Sequence, residues 1–193
     1  MSSLKERIEW LERELPPNPP RFRLHEDLPF AILRYGPKEE WELRSEVERL
    51  ATRLENKGQV VTTVSLAALL WQAIDENEGI DAVIDLERQR GFDAAQAQVN
   101  TYLSDEDFSP LPRLVAERLN ALDPDHDIAF LVRAGSLAPE IYHISKLLDE
   151  LQGRTRVPTV LFYPGDLVGT NSLRYMGLTC LHSPPSYRVK IYG

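Results

Sequence analysis

The sequence has a single cysteine and no long apolar stretch. Cys180 has no second cysteine with which to form an internal disulfide, which is typical of a protein of a reducing compartment. No window approaches the run of about 20 apolar residues that a membrane-spanning helix needs. The first residues, MSSLKERIEWLEREL, are charged throughout and lack the apolar core of a signal peptide. These absences predict a soluble, cytoplasmic protein with no membrane partner.

Positive charge is also scarce. The chain carries 22 lysines and arginines against 30 acidic residues, which gives a formal net charge of -8. Such a chain repels a phosphate backbone overall, so no direct nucleic-acid binding is expected. Binding to DNA would require a concentrated face of arginine and lysine strong enough to overcome this acidity.

Motifs of enzymes and metal sites are missing as well. The G-x-S-x-G pattern of serine hydrolases is absent, and the first predicted strand runs into RYGPKEEW, with one glycine where a dinucleotide-binding turn needs three. No two of the four histidines have the helical spacing of metal ligands. Cys180 has His182 two residues away, but this spacing alone does not predict a nucleophile and its base. The sequence therefore predicts no enzyme, no metal and no cofactor.

The 193 residues favour a single domain over 1–193. Leu4, Ile8, Leu11 and Leu15 have helical spacing and predict an amphipathic N-terminal helix. The proline-rich stretch PPNPP, 16–20, ends that helix and forms a stiff connector.

The remaining pattern alternates short apolar runs with helical segments. The runs predict strands at 29–35, 59–66, 127–135, 156–165 and 186–192, the last at an edge of the sheet. Helices are predicted after the first and third of these strands, the later one over 139–153 with Pro139 in its first turn. A helical insertion is predicted at about 66–122, between the second and third strands. This order predicts an α/β fold in three layers, a mainly parallel sheet of four to five strands with helices on both faces.

Two loops follow predicted strands and are candidate binding sites. In YPGDLVGTNS, Gly165 and Gly169 are followed by a hydroxyl-rich segment, but the lysine of a phosphate-binding loop is missing. The favoured interpretation is a tight turn shaped by Pro164 and Gly165. The alternative is weak anion binding through backbone amides.

The second loop, VRAGSLAPE, follows the third strand. Open parallel sheets place ligand sites beyond the carboxyl ends of their strands, so Arg133, Ser136 and Glu140 are candidates to line such a crevice. The structural alternative is that Gly135 permits a sharp turn and that Ser136 bonds the local backbone.

Five segments in order resemble the BrxB family of bacterial BREX phage-exclusion systems. They are FAILRYGPKEEWELRSEVERLATRL, VVTTVSLAALL, HDIAFLVRAGSLAPEIYHISKLLDEL, VPTVLFYPGDLVGTNSLRYMG and SYRVKIY. The most specific pieces are the VLFYPG stretch, the G-S-x-x-P loop and the tyrosine-arginine pair near the end. Members often carry Tyr-Tyr-Arg-Ala there, whereas this chain has Ser186-Tyr187-Arg188-Val189.

The resemblance implies a non-catalytic role in phage defence, alongside a methyltransferase, an ATPase and the alkaline-phosphatase-like protein PglZ. PglZ is the expected partner among the other BREX proteins. The positions that match the family motif are Tyr163, Pro164, Gly165, Gly169, Leu173, Tyr187 and Arg188.

A partner surface is expected to expose aromatic and arginine side chains. Beside the motif positions, the candidates for such contacts are Trp10, Trp41, Trp71, Tyr142 and Arg174. Tryptophans at helical spacing are more often core residues.

A second hypothesis is a degenerate nucleotide-binding domain with a sensing role. It places a nucleotide at the loops around Gly135 and Gly165, with backbone amides converging near Arg133.

Overall fold

A computed structural model describes residues 2–15, 28–139, 141–178 and 187–193. The predicted connector at 16–20 lies outside these residues, as do Glu140, Cys180, His182 and Ser186. Within the described ranges, no helix is both long and apolar enough to cross a membrane.

The sheet is mainly parallel, as predicted. Its strands are β1 (Phe30–Tyr35), β2 (Val60–Ser65), β3 (Asp127–Val132), β4 (Thr159–Val168), β5 (Ser172–Tyr175) and β6 (Lys190–Tyr192). The parallel strands have the order β2-β3-β4-β1-β6, and β5 pairs antiparallel with the end of β4. All six residues of β1, an internal strand between β4 and β6, are buried, in keeping with helices on both faces.

Helices account for most of the remaining described residues. They are α1 (Leu4–Glu14), α2 (Glu40–Glu55), α3 (Leu66–Glu76), α4 (Gly79–Arg90), α5 (Phe92–Ser104), α6 (Leu111–Asn120) and α7 (Ile144–Leu151). The four helices α3 to α6 occupy the predicted insertion between β2 and β3.

The two faces of the sheet have separate apolar cores because neighbouring strand residues point to opposite sides. In β1, Ala31 and Leu33 pack with α1 and α2, whereas Phe30 and Ile32 pack with α3, α5, α6 and α7. The structure therefore has the predicted three layers, with helices on both faces.

The N-terminal helix packs on its own sheet. Ser3 and Glu6 form a reciprocal cap, in which the Glu6 N–H donates to Ser3 Oγ at 3.2 Å and the Ser3 N–H donates to Glu6 Oε2 at 2.7 Å. The apolar stripe of α1 is buried against β1 and α2, and Glu14 accepts hydrogen bonds from Lys190 and Tyr192 of β6. Helix α1 thus packs on β1 and is joined by hydrogen bonds to β6.

Several predicted boundaries are wrong: β3 ends at Val132 and β6 begins at Lys190, and two more boundaries concern the candidate loops. The helix after β3 begins at Ile144 and not at Pro139, because Ile141 is held in a loop by two hydrogen bonds. The Ile141 N–H donates to the Leu137 carbonyl at 3.1 Å, and Asn100 donates to the Ile141 carbonyl at 2.7 Å.

The second of these two boundaries is at β4. Pro164 and Gly165 do not form the predicted turn, since β4 continues through them to Val168. The chain reverses at Gly169, where φ is +68°, and returns as β5. The segment YPGDLVGTNS is therefore part of a β-hairpin.

Candidate functional site

The loops at the carboxyl ends of β1, β3 and β4 lie together. Tyr35 pairs with Pro164 at the end of β1, and Leu131 pairs with Leu161 near the end of β3. The β4–β5 hairpin is joined to the loop after β3 by Tyr175, whose hydroxyl donates to the Ala134 carbonyl at 2.6 Å. The structure thus brings together the two loops that the sequence analysis had named as candidate sites.

Arg133 lies at this edge, directly after the last residue of β3. It has a left-handed backbone with φ of +64°, and its carbonyl accepts hydrogen bonds from the Ser136 N–H at 3.1 Å and from Ser136 Oγ at 2.8 Å. Ser136 therefore bonds the local backbone, as the structural alternative held. That alternative is wrong for Gly135, because the residue with positive φ in this turn is Arg133.

Glu40, at the start of α2, interacts with three side chains at this edge. Its Oε1 accepts a hydrogen bond from Arg44 Nε at 3.0 Å and lies 3.9 Å from Arg133 Nε. Its Oε2 accepts a hydrogen bond from the Tyr35 hydroxyl at 2.5 Å. Burial and the bond to this carboxylate raise the pKa of Tyr35 above its ordinary value. One carboxylate thus hydrogen-bonds the guanidinium of Arg44 and lies within ion-pair distance of that of Arg133.

Trp41 extends this arrangement to the surface. Its side chain is 76% exposed, and the Arg44 guanidinium lies 4.2 Å from the centroid of its ring. We call the group formed by Trp41, Arg44 and Arg133 the Trp41 surface. An exposed indole stacked with arginine is the residue combination found at the energetic centres of protein interfaces.

Of the tyrosines near the hairpin, Tyr163 and Tyr187 are buried and Tyr175 is half-buried. Tyr163 is buried and contacts Tyr175 and Tyr187, with ring centroids 5.7 Å and 5.9 Å apart. Burial raises the pKa of Tyr163 to about 12. Tyr142, also a candidate for partner contact, is buried as well.

The other candidate residues have varied surroundings. Arg174 is half-buried on β5 and lies opposite Asp166 of β4. Arg188 is exposed and lines a cavity of about 360 Å³ together with Tyr187 and residues of α7. Gly169 is exposed in the hairpin turn.

The amides of the loop after β3 make local hydrogen bonds. The Ser136 N–H donates to the Arg133 carbonyl, and the Ala138 N–H donates to the Gly135 carbonyl at 3.2 Å. Gly165 lies opposite Tyr175 across the hairpin. The Ser136 and Ala138 amides bond within the loop, so these two are not available as the converging amides that the nucleotide-binding hypothesis requires.

Two features of this edge were missed from the sequence. The pairing of Glu40 with Arg44 has a signal, since residues four apart are neighbours on a helix. The other feature is Arg34, a buried arginine in a strand of apolar residues. One of its terminal nitrogens donates to the Gly165 carbonyl at 3.4 Å, and its Nε has no hydrogen-bond partner among the described residues.

Comparison with known proteins assigns the chain to a family. The family model described as "BREX protein BrxB" matches residues 62–190. The chain belongs to the BrxB family. A BREX protein BrxB from Bacillus cereus (strain H3081.97) is 25% identical over 150 residues, which span 76% of this chain and 75% of that protein.

The BrxB match begins within β2 and ends at the first residue of β6. It includes Arg133, the β4–β5 hairpin, Tyr187 and Arg188. Helices α1 and α2 and strand β1 precede it, so Trp41 and Arg44 lie outside the matched range. The Trp41 surface therefore combines one residue of the BrxB-matched region with two from the segment before it.

Proposed function

We propose that this chain is a non-catalytic assembly component of a BREX system and that it binds PglZ through the Trp41 surface. Membership of the BrxB family makes it a component of a phage-defence system. The observation that supports binding through this surface is the exposure of Trp41, at 76%, with the Arg44 guanidinium 4.2 Å from its ring centroid. Arg133 lies 3.9 Å from the Glu40 carboxylate that also pairs with Arg44. Fixed aromatic and arginine side chains lose little conformational entropy when they bind.

The test is size-exclusion chromatography with light scattering on this chain mixed with PglZ of the same system. A shared peak is expected for the unchanged chain. Trp41→Ala and Arg133→Ala should each weaken the complex, by about 2 kcal/mol or roughly 30-fold in Kd if they are hot-spot residues. Trp71→Ala is the matched control, since Trp71 is also exposed, at 52%, but lies on α3.

The outcomes separate the partner from the surface. If the unchanged chain and PglZ elute apart, PglZ binding is wrong. If they elute together and only Trp71→Ala weakens the complex, PglZ is a partner but the Trp41 surface is not its binding site.

A further inference from the structure

Strand β2 forms one edge of the parallel sheet and pairs only with β3 among the described residues. Its sequence, VVTTVS, begins with four β-branched residues in a row and contains no charged residue and no proline. Natural proteins usually protect an edge strand with charge, proline, a bulge or short length. The opposite edge has such protection, because β6 has three residues and begins with Lys190. Within its six residues, β2 has none of these devices.

The backbone groups that β2 leaves unpaired can be assigned. The Val60 N–H donates to the His126 carbonyl at 3.3 Å, so Val60 faces β3. Alternate residues of a parallel strand face the same neighbour, which places the N–H and C=O groups of Val61 and Thr63 on the open side. Of these two residues, Thr63 is exposed and Val61 is half-buried, and the neighbouring Val60 is 53% exposed.

We propose that a second copy of this chain occupies the β2 edge, with the two β2 strands antiparallel about a two-fold axis. Val61 of one copy then lies opposite Thr63 of the other, and each such pair exchanges N–H and C=O groups. Thr62 meets its own counterpart on the axis. This geometry satisfies all the open backbone groups of Val61 and Thr63 in one closed contact.

Charge limits where two copies of this chain can meet, while the self-complementary pairing of Val61 with Thr63 is what suits this edge to a second copy. Each chain has a formal charge of -8, so two copies repel each other over most of their surfaces. A strand without charge offers a contact at which no like charges are opposed. Cross-strand pairs of valine with threonine and of threonine with threonine are favourable in antiparallel sheets. The proposal is independent of PglZ and of the Trp41 surface.

The first measurement is sedimentation equilibrium of the unchanged chain over about a hundredfold concentration range, because a self-associating protein changes mass with concentration. The expected result is a concentration-dependent approach to twice the chain mass of 22.0 kDa. A single mass of 22.0 kDa over the whole range would overturn the proposal.

The second measurement locates the contact by reversing charge on the two-fold axis. Thr62→Lys and Thr62→Glu each oppose like charges and should raise the dimer Kd about fivefold. An equimolar mixture of the two variants should recover association at least as strong as that of the unchanged chain. Thr170→Lys, at an exposed threonine in the hairpin turn, is the control for added charge and should dimerise normally.

A further variant covers the case in which a charged residue at position 62 prevents folding. Thr63→Pro removes one outward N–H from each copy and leaves the pairing of β2 with β3 in place, so it should raise the dimer Kd about tenfold. Circular dichroism establishes that each variant is folded. If folded Thr63→Pro or both folded charge variants dimerise as the unchanged chain does, the dimer uses another surface and the proposal is wrong.

Discussion

A Cβ atom added to Gly165 would lie 2.2 Å from the carbonyl oxygen of Arg174 on the neighbouring strand. No side chain fits this gap, so Gly165→Ala must push β4 and β5 apart. We expect it to lower the free energy of unfolding by about 2 kcal/mol, as overpacking of a rigid site does. Urea denaturation measures the effect.

The matched control for that substitution is Gly135→Ala. An added Cβ at Gly135 makes only ordinary contacts, 3.8 Å from Met176 Sδ and 3.9 Å from Pro164 Cγ. It should change the free energy of unfolding by less than about 1 kcal/mol. Equal losses from the two variants would contradict the explanation by close backbone contact.

Alkaline pH should destabilise the fold through its tyrosines. The pKa of every tyrosine is raised, in each case chiefly by burial, and the residues are Tyr35, Tyr102, Tyr142, Tyr163, Tyr175, Tyr187 and Tyr192. Above about pH 10 the unfolded chain loses phenolic protons that the folded chain keeps, so the free energy of unfolding falls as the pH rises. Below that pH this contribution is fully present. Urea denaturation at about pH 8 and about pH 11 tests the sign.

The absorbance of tyrosinate provides an independent check. Ionisation should be displaced to higher pH than in free tyrosine and should coincide with unfolding seen by circular dichroism. Tyrosines that titrate with a pKa of about 10 in a folded chain would contradict the prediction.

Replacement of Arg34 and replacement of Arg7 should change the free energy of unfolding by different amounts. Arg34 is 7% exposed, and burial followed by repulsion from Arg7 lowers its pKa. Arg34→Met removes a poorly bonded buried charge and should leave the free energy of unfolding unchanged or raised, within about 1 kcal/mol. Arg7 donates to Glu39 Oε2 at 2.9 Å, so Arg7→Met should cost about 2 kcal/mol. Thermal denaturation of both variants measures these changes in stability. A larger loss of stability from Arg34→Met than from Arg7→Met would contradict the prediction.

Docking of α1 on its own sheet predicts a large effect at Leu11, which is fully buried. Leu11→Ala should lower the free energy of unfolding by about 3 kcal/mol through lost burial and a cavity. Glu9→Ala, on the exposed side of the same helix, should have an effect below about 0.5 kcal/mol. If the two variants unfold alike, the helix does not pack on the sheet in solution.

Apolar patterns predicted the fold because they are local. The run FAILRY predicts a strand, and the residues of that strand are all buried in the structure. The helical spacing of 66–122 predicts the four helices found there. The hairpin was missed for a non-local reason. Pro164 and Gly165 have the residue types of a turn, but Gly165 is needed where β4 closely approaches Arg174, a contact that becomes visible only when β5 is in place.

The candidate site was only partly predicted, because some of its contacts join residues that are far apart in the sequence. The end of β3 correctly located Arg133 and Ser136 at the carboxyl edge of the sheet. The carboxylate that holds Arg133 belongs to α2, much earlier in the chain, and no local pattern connects the two. Tyr163 and Tyr187 lie at positions of the family motif, and in this chain both side chains are part of the core.

The position of β1 in the sheet bears on how the protein is made. Phe30 pairs with Thr159, and Ala31 pairs with Thr159's neighbour Val160 on one side and with Lys190 on the other. During synthesis, β1 therefore has no neighbouring strand until β4 has emerged, and its second edge stays open until β6 follows. Ala31 and Leu33 can pack with α1 and α2 before then, but the backbone edges of FAILRY stay unpaired until late in translation. Unpaired strand edges of this kind make a nascent chain prone to aggregation.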